Sequence, residues 1–205
     1  RKIVSIEFYP FEDYKISKLK TTSKKIALSQ EEFQRFKDID ISEYPNLMEA
    51  YNYFLFSVYT RGMNFQDMMV LCRTDIQNGR ISYVRSKTKG RLNLEIIKPV
   101  EAILSYYKDR SNGSKYVFPI LLSDTLSPTQ IANRKHKVLS RYNTKLNMLA
   151  QIAGIEKRLT SYVARHSFAT LLKMRGASIE KISEMMGHTD VSITVSYLKE
   201  FSNED

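Results

Sequence analysis

From Pro128 to its last residues the chain reads as one helix after another, and this constrains the fold more than any other feature. The pattern predicts helices over 128–152, 161–175, 178–186 and about 190–200. Gly176 and Gly187 stand where helices should stop, since glycine takes the left-handed conformation of a C-terminal cap without a Cβ clash. Upstream, Ser29-Gln30-Glu31-Glu32 has the form of a capping box and starts another helix. Leu47, Ala50, Tyr51, Phe54, Leu55 and Val58 recur at helical spacing and predict a core helix. Continuing that register puts Arg61 on the line of Leu47 and Phe54, pointing inward at the helix end, with Gly62 permitting a turn. A short helix over Phe65 to Leu71 follows, and Pro99 precedes one running through Leu104 and Tyr107.

Strand signals are few. Ile81-Ser82-Tyr83-Val84-Arg85 and Leu92-Asn93-Leu94-Glu95-Ile96 suit strands, and Ser86-Lys87-Thr88-Lys89-Gly90 between them makes a hairpin with a basic tip. Tyr116 to Pro119 reads as a short extended piece. The expected fold class is mainly α with one small antiparallel β-sheet, an α+β arrangement. Residues 1–25 contain Pro10 and a polar, lysine-rich run, and read as the end of a preceding unit and a linker. A compact domain should occupy 26–205. The chain begins with Arg1 rather than methionine, so a fragment of a longer protein is expected.

Its 205 residues with 42% hydrophobic content suffice for one good-sized core and are too polar for a membrane protein. No apolar run approaches the roughly 20 residues that span a bilayer, and no secretory signal opens the chain. A single cysteine, Cys72, excludes an internal disulfide and fits a reducing cytoplasm. Its apolar neighbours Met68, Met69, Val70 and Leu71 predict a buried structural thiol. One cysteine and three scattered histidines provide no four-ligand zinc spacing, and no GxxxxGK phosphate loop occurs. The net charge of +10 is clustered. Lys15, Lys18, Lys20, Lys24 and Lys25 form one basic stretch, Arg85, Lys87, Lys89 and Arg91 a second, and Arg134, Lys135, Lys137, Arg141 and Lys145 a third. One such run is ordinarily a solvated face; three favour nucleic acid, through phosphate neutralisation and counterion release.

The last 45 residues carry the chemistry. Arg165-His166-Ser167-Phe168-Ala169-Thr170 is followed by Gly187-His188, with Tyr197 nine residues further on. An arginine, an imidazole and a phenol near one helical surface are the groups needed to attack a phosphodiester without a metal. These motifs, with Tyr59-Thr60-Arg61-Gly62-Met63-Asn64-Phe65-Gln66-Asp67 and the Ser86-Lys87-Thr88 tip in the same order, resemble the catalytic domain of tyrosine recombinases, the phage-type integrases. The resemblance runs from about residue 26 to the end, in the style of mobile-element integrases of Bacteroides-type bacteria.

The resemblance implies site-specific recombination, as an integrase, excisionase or invertase, by transesterification. Tyr197 would attack the scissile phosphate and form a 3′-phosphotyrosine, and a 5′-hydroxyl would reverse the step. No cofactor and no metal would be required. A phenol has a pKa near 10, so its proton must leave during attack. Charge building on the nonbridging oxygens calls for guanidinium forks. Arg165 matches the family's second arginine. Lys87 matches its general acid, with Lys89 a close competitor. His188 stands where a donor to a phosphate oxygen is expected, and His166 either bonds the phosphate or orients the site. The implied partner is double-stranded DNA, held by Lys24, Lys25, Arg85, Lys89, Arg91, Arg134, Lys135, Lys137 and Arg141. The implied assembly is a monomer when free and a homo-tetramer on two duplexes, with no membrane partner, in the bacterial cytoplasm on the nucleoid. Residues 1–25 would be the interdomain linker after an absent core-binding domain, and Phe201 to Asp205 would pack on a neighbour.

Two positions depart from the family pattern. Tyr162 stands where a histidine is usual, three residues before Arg165; sharing a helix face with it, Tyr162 is either a site member or a packing residue. Asn64 stands where the first arginine is usual. Arg61 is the expected substitute, with Arg85 in reserve, unless Arg61 only pairs with Asp67. Three readings therefore compete with recombinase: an impaired DNA-binding protein of the same fold, a type IB topoisomerase and a purely structural helical protein.

Overall fold

A computed structural model describes residues 25–110 and 113–199, apart from the side chains of Ser196, Tyr197 and Lys199. Eight α-helices, three short 3-10 helices and one three-stranded antiparallel sheet are present among them. The helices are α1 (Gln30–Lys37), α2 (Met48–Tyr59), α3 (Phe65–Val70), α4 (Lys98–Lys108), α5 (Pro128–Ile152), α6 (Val163–Met174), α7 (Ile179–Met186) and α8 (Val191–Lys199). The strands are β1 (Ile76–Gln77), β2 (Arg80–Val84) and β3 (Arg91–Glu95).

The local reasons are readable. Ser29 Oγ accepts from Glu32 N at 3.1 Å while Glu32 Oε2 accepts from Ser29 N at 2.7 Å, so α1 begins on the expected capping box. Ser127 and Gln130 do the same for α5, where Pro128 takes the first-turn position that lacks a hydrogen-bond requirement. Asn78 and Gly79 both adopt positive φ, 51° and 70°, and form the two-residue turn between β1 and β2. β1 was absent from the sequence expectation, although an Asn-Gly pair is a strong hairpin signal. The expected extended piece at Tyr116 bridges to Cys72, and Val117 N donates to Leu71 O at 2.9 Å.

The main core lies between α2, α4 and α5. Tyr53 is at its centre, with ring centroids 5.3 Å from Phe118, 5.6 Å from Tyr142 and 6.0 Å from Tyr107. Phe118 also meets Phe56 edge-on at 4.8 Å. Helix α1 and the segment before it close one side. Leu28 N donates to Ser167 Oγ at 2.9 Å, and Lys157 Nζ joins Ala27 O and Glu32 Oε2. A smaller cluster of Ala169, Ile182, Met186 and Leu198 knits α6, α7 and α8 together.

Two expectations need correction here. Helix α2 ends at Tyr59, and Arg61 takes φ 59° beside Gly62 at φ 71°, so the helical register stops before Arg61. Arg61 is half-buried at a turn rather than pointing into the core. Cys72 is likewise only half-buried, because the chain leaves α3 in an extended conformation at Leu71. Lys24 and Phe201 to Asp205 lie outside the described residues.

Candidate active site

The site forms at the carboxyl end of α7. Gly187 takes φ 63°, and Gly187 N and His188 N donate back to Glu184 O and Ser183 O, each at 3.0 Å. This left-handed stop suits glycine. A Cβ there would also stand 3.1 Å from Leu92 Cδ2, so the hairpin packs directly over the helix end. The last carbonyls of a helix have no intrahelical donors, and here two arginines supply them. Arg165 Nη2 donates to Met186 O at 2.8 Å. Arg85 Nη1 donates to Gly187 O at 2.9 Å and to Met186 O at 3.4 Å. The negative end of the helix dipole favours both cations.

Each arginine is delivered by a separate element. Arg165 sits in the first turn of α6, where Val163 through Ser167 are all buried. Its Nη1 donates to Gly62 O at 2.9 Å. A Cβ on Gly62 would lie 2.8 Å from Arg165 Cγ and 2.9 Å from its Cα, so the turn between α2 and α3 rests on the α6 backbone only because residue 62 is glycine. Arg85 follows Ile81 and Tyr83 at the two-residue period of a strand, and all three face inward. The two arginines are 3% and 5% exposed. Arg85 was expected as a surface DNA contact as well as a reserve clamp; the burial of its strand face removes the surface role.

His188 completes the group. Arg165 Nη2 lies 3.1 Å from its Nε2. A guanidinium only donates, so Nε2 accepts and the ring proton is on Nδ1. That Nδ1–H donates to Thr194 Oγ1 at 2.7 Å. Burial, reinforced by Arg165, Arg85 and Lys87, holds the His188 pKa down to about 4. The imidazole is therefore neutral near pH 7 and offers an acceptor at Nε2, whereas the sequence predicted a donor.

Lys87 is exposed at the hairpin tip, near enough for its charge to act on His188. The tip is held from beneath: Ser86 N donates to the buried carboxylate of Asp67 at 2.8 Å, and Lys89 N donates to Arg85 O at 2.9 Å with Lys89 at φ 57°. Asp67 thus anchors the loop that carries Lys87. Among the described residues it forms no ion pair with Arg61. Asn64 caps α3 in an extended conformation, and its buried Oδ1 has no hydrogen-bond partner. Tyr162 is 48% exposed at the start of α6, with its ring edge-on to the buried His166 at 5.0 Å. Tyr162 therefore meets His166 one turn on, and does not share the buried position of Arg165.

The backbone of Tyr197 lies in α8, two turns beyond His188; its side chain is outside the described part of the structure. Tyr142 is 3% exposed in the aromatic core, and burial pushes that phenol well up. Burial raises the Tyr83 phenol too. Of the remaining basic residues, Lys89, Arg91, Lys137 and Arg141 are exposed, and Lys25 and Lys135 are half-buried. Arg134 departs from expectation: its Nε donates to Ile120 O at 2.8 Å and its Nη2 reaches Pro119 O at 3.5 Å, so it braces the segment before α5. Sequence reasoning missed Thr194 and the packing of Gly62 on Arg165. No spacing rule marks either, because both depend on elements brought together from afar.

Residues 27–204 match the phage integrase family, and the chain belongs to that family. It is 33% identical over 162 residues to "Tyrosine recombinase XerD" of Staphylococcus saprophyticus, covering 76% of this chain and 53% of that protein. It is 33% identical over 147 residues to the XerD of Halalkalibacterium halodurans, covering 68% of this chain and 46% of that one. The chain thus spans about half the length of these relatives. Among solved structures, XerA recombinase superposes with a TM-score of 0.60 at 20% identity, covering 87% of this chain and 64% of that one. The Tn1549 transposon integrase in complex with transposon right end DNA gives 0.65 at 17% identity, covering 90% and 65%. These two establish the fold: a mainly helical domain with a small antiparallel sheet.

Proposed function

We propose that residues 26–205 are the catalytic domain of a site-specific tyrosine recombinase of a mobile element, preceded by an interdomain linker within 1–25. The carrying observation is the convergence of two buried guanidiniums and a neutral imidazole on the end of α7, beside the helix that bears Tyr197. Two guanidiniums buried side by side repel each other, and an anion bound between them relieves that cost. A scissile phosphate supplies that anion. Its nonbridging oxygens would accept from Arg165 and from the Nε and Nη2 groups of Arg85, which make no other hydrogen bond among the described residues. On this reading Arg85, rather than Arg61, replaces the family's first arginine, because Arg85 already shares the Met186 carbonyl with Arg165.

The reaction then follows. The Tyr197 oxygen bonds to phosphorus as the bond from phosphorus to the 5′-oxygen breaks. The incoming phosphate draws Arg165 Nη2 onto its own oxygen and frees Nε2 of His188, the phenolic proton passes to that nitrogen, and the Lys87 ammonium protonates the leaving oxygen. A 5′-hydroxyl of a partner strand reverses the sequence, regenerating the phenol and completing exchange. Bond energy is conserved in the phosphotyrosine, so the steps draw on no nucleotide cofactor. Tyr162 and His166 line the approach to Arg165. Lys25, Lys89, Arg91, Lys135, Lys137 and Arg141 hold duplex phosphates, and four protomers act on two duplexes in the bacterial cytoplasm.

A nicked suicide substrate tests this. Wild-type protein should form a covalent protein–DNA adduct, and Tyr197→Phe should form none while still binding DNA. Arg85→Ala should lose on the order of 10²-fold or more of the cleavage rate, and Arg61→Ala should lose far less. DNA binding by wild type with no adduct would leave a DNA-binding protein of the same fold. Supercoil relaxation without strand exchange would leave a topoisomerase.

A further inference from the structure

The sequence motifs leave the segment between His188 and Tyr197 without a role. The geometry points to Thr194 as a positioning residue, whose hydroxyl fixes the orientation and tautomer of His188 and fastens that ring to the helix carrying the nucleophile. The inference rests on the recombinase reading for its consequence, though its geometry stands alone.

Arg165 cannot accept a hydrogen bond, so its 3.1 Å approach forces a lone pair onto Nε2 of His188. The proton left on Nδ1 then needs an acceptor in a half-buried place, and Thr194 Oγ1 is that acceptor at 2.7 Å. Thr194 is fully buried, and its branched side chain has few rotamers to choose from, so the oxygen is held in place. Without this acceptor the ring would favour the other tautomer, which turns an N–H toward the N–H of Arg165. The donor pair would repel, and both the lone pair and the Arg165 contact would be lost.

The same bond also acts on α8. His188 lies three residues before the helix, and Thr194 lies inside it. The backbone of Tyr197 follows Thr194 by three residues, a rise of about 4.5 Å. One hydrogen bond therefore sets the distance between the imidazole and the helical turn that presents the nucleophile. Among the described residues, Leu198 joins α8 to the buried cluster of Ala169, Ile182 and Met186, against which Phe168, Leu172 and Ala177 also pack. The polar tie at Thr194 adds a second fixed point, one turn before Leu198.

The test compares Thr194→Val, which keeps the shape and removes the acceptor, with Thr194→Ser, which keeps the acceptor. Cleavage of a suicide substrate, DNA affinity and the ¹⁵N shifts of the His188 ring are measured on the whole chain. Thr194→Val should cleave roughly tenfold to a hundredfold more slowly, with DNA affinity changed by less than about threefold. Thr194→Ser should recover most of the rate. The ring nitrogens should report Nδ1–H in the wild type and in Thr194→Ser, and a shift away from it in Thr194→Val. Wild-type cleavage by Thr194→Val, or equal loss in both variants, overturns the inference, since the latter marks a packing role. Should Thr194→Val not fold, the ring shifts of Thr194→Ser decide: loss of the Nδ1–H signature there overturns it. Should the wild type form no adduct, the recombinase reading fails, while the nitrogen shifts still answer for the bond.

Discussion

Two regions of this domain are built on opposite principles. Between α2, α4 and α5, a continuous core interlocks Tyr53, Phe56, Tyr107, Phe118 and Tyr142 at ring distances of 4.8 to 6.0 Å. Under α6, α7 and α8, among the described residues, the buried cluster is smaller: Ala169, Ile182, Met186 and Leu198. The first region is held by apolar area. The second is held largely by directed hydrogen bonds: two guanidiniums on the carbonyls of α7, and an imidazole between Arg165 and Thr194. The lesson is a division of labour. The first region supports the α6 arginine, and the second carries the helix of Tyr197, which on the proposed reaction moves against a phosphate and releases it. Segments that move in function are drawn from the low-stability end of a structure.

The sharpest way to break this contrast is to damage each core in turn. Phe118→Ala should cost about 3–5 kcal/mol and lower the single unfolding transition of the whole domain, read by denaturant melts. Leu198→Ala should cost about 3 kcal/mol in the opening of α8, seen as faster amide exchange there, with the global transition little changed. If both variants moved the global transition equally, the two regions would be one cooperative unit. Gly62→Ala tests the junction between them. The added Cβ meets the Arg165 backbone and the residue must hold φ 71°, a strain of about 2 kcal/mol. Adduct formation should fall more than stability does, because Arg165 is displaced. The smallest expected effect is a pH dependence. His188 has a folded pKa of about 4, below its ordinary value near 6.5. Between those values the unfolded chain takes up a proton that the folded chain refuses, so stability from this group is full above pH 6.5 and falls as pH drops toward 4. The difference in melting temperature between wild type and His188→Gln should shrink over that window.

Much of the fold was legible. The capping box at Ser29, helical spacing from Leu47 to Val58, and glycine stops at 176 and 187 are local signals with local causes. The turn at Asn78-Gly79 was equally local and was passed over. The burial of Arg85 was readable in principle, since it continues the alternation of Ile81 and Tyr83. A charge at the end of an apolar period looks like the edge of a strand until something is found to receive it. Arg134 misled in the opposite sense: one more cation in a basic helix, it spends its guanidinium on the carbonyls of Ile120 and Pro119.

By itself the sequence determined the main helices, the β2–β3 hairpin and the family order of Arg165, His188 and Tyr197, because capping, periodicity and spacing act over a few residues. Only the tertiary structure decided that Arg85 and Arg165 meet at Met186, that Asp67 holds the hairpin loop, and that Thr194 accepts the Nδ1–H of His188. Those are pairings between elements up to about a hundred residues apart, and they arise because each buried donor or acceptor must be satisfied by whatever group the packing brings within reach.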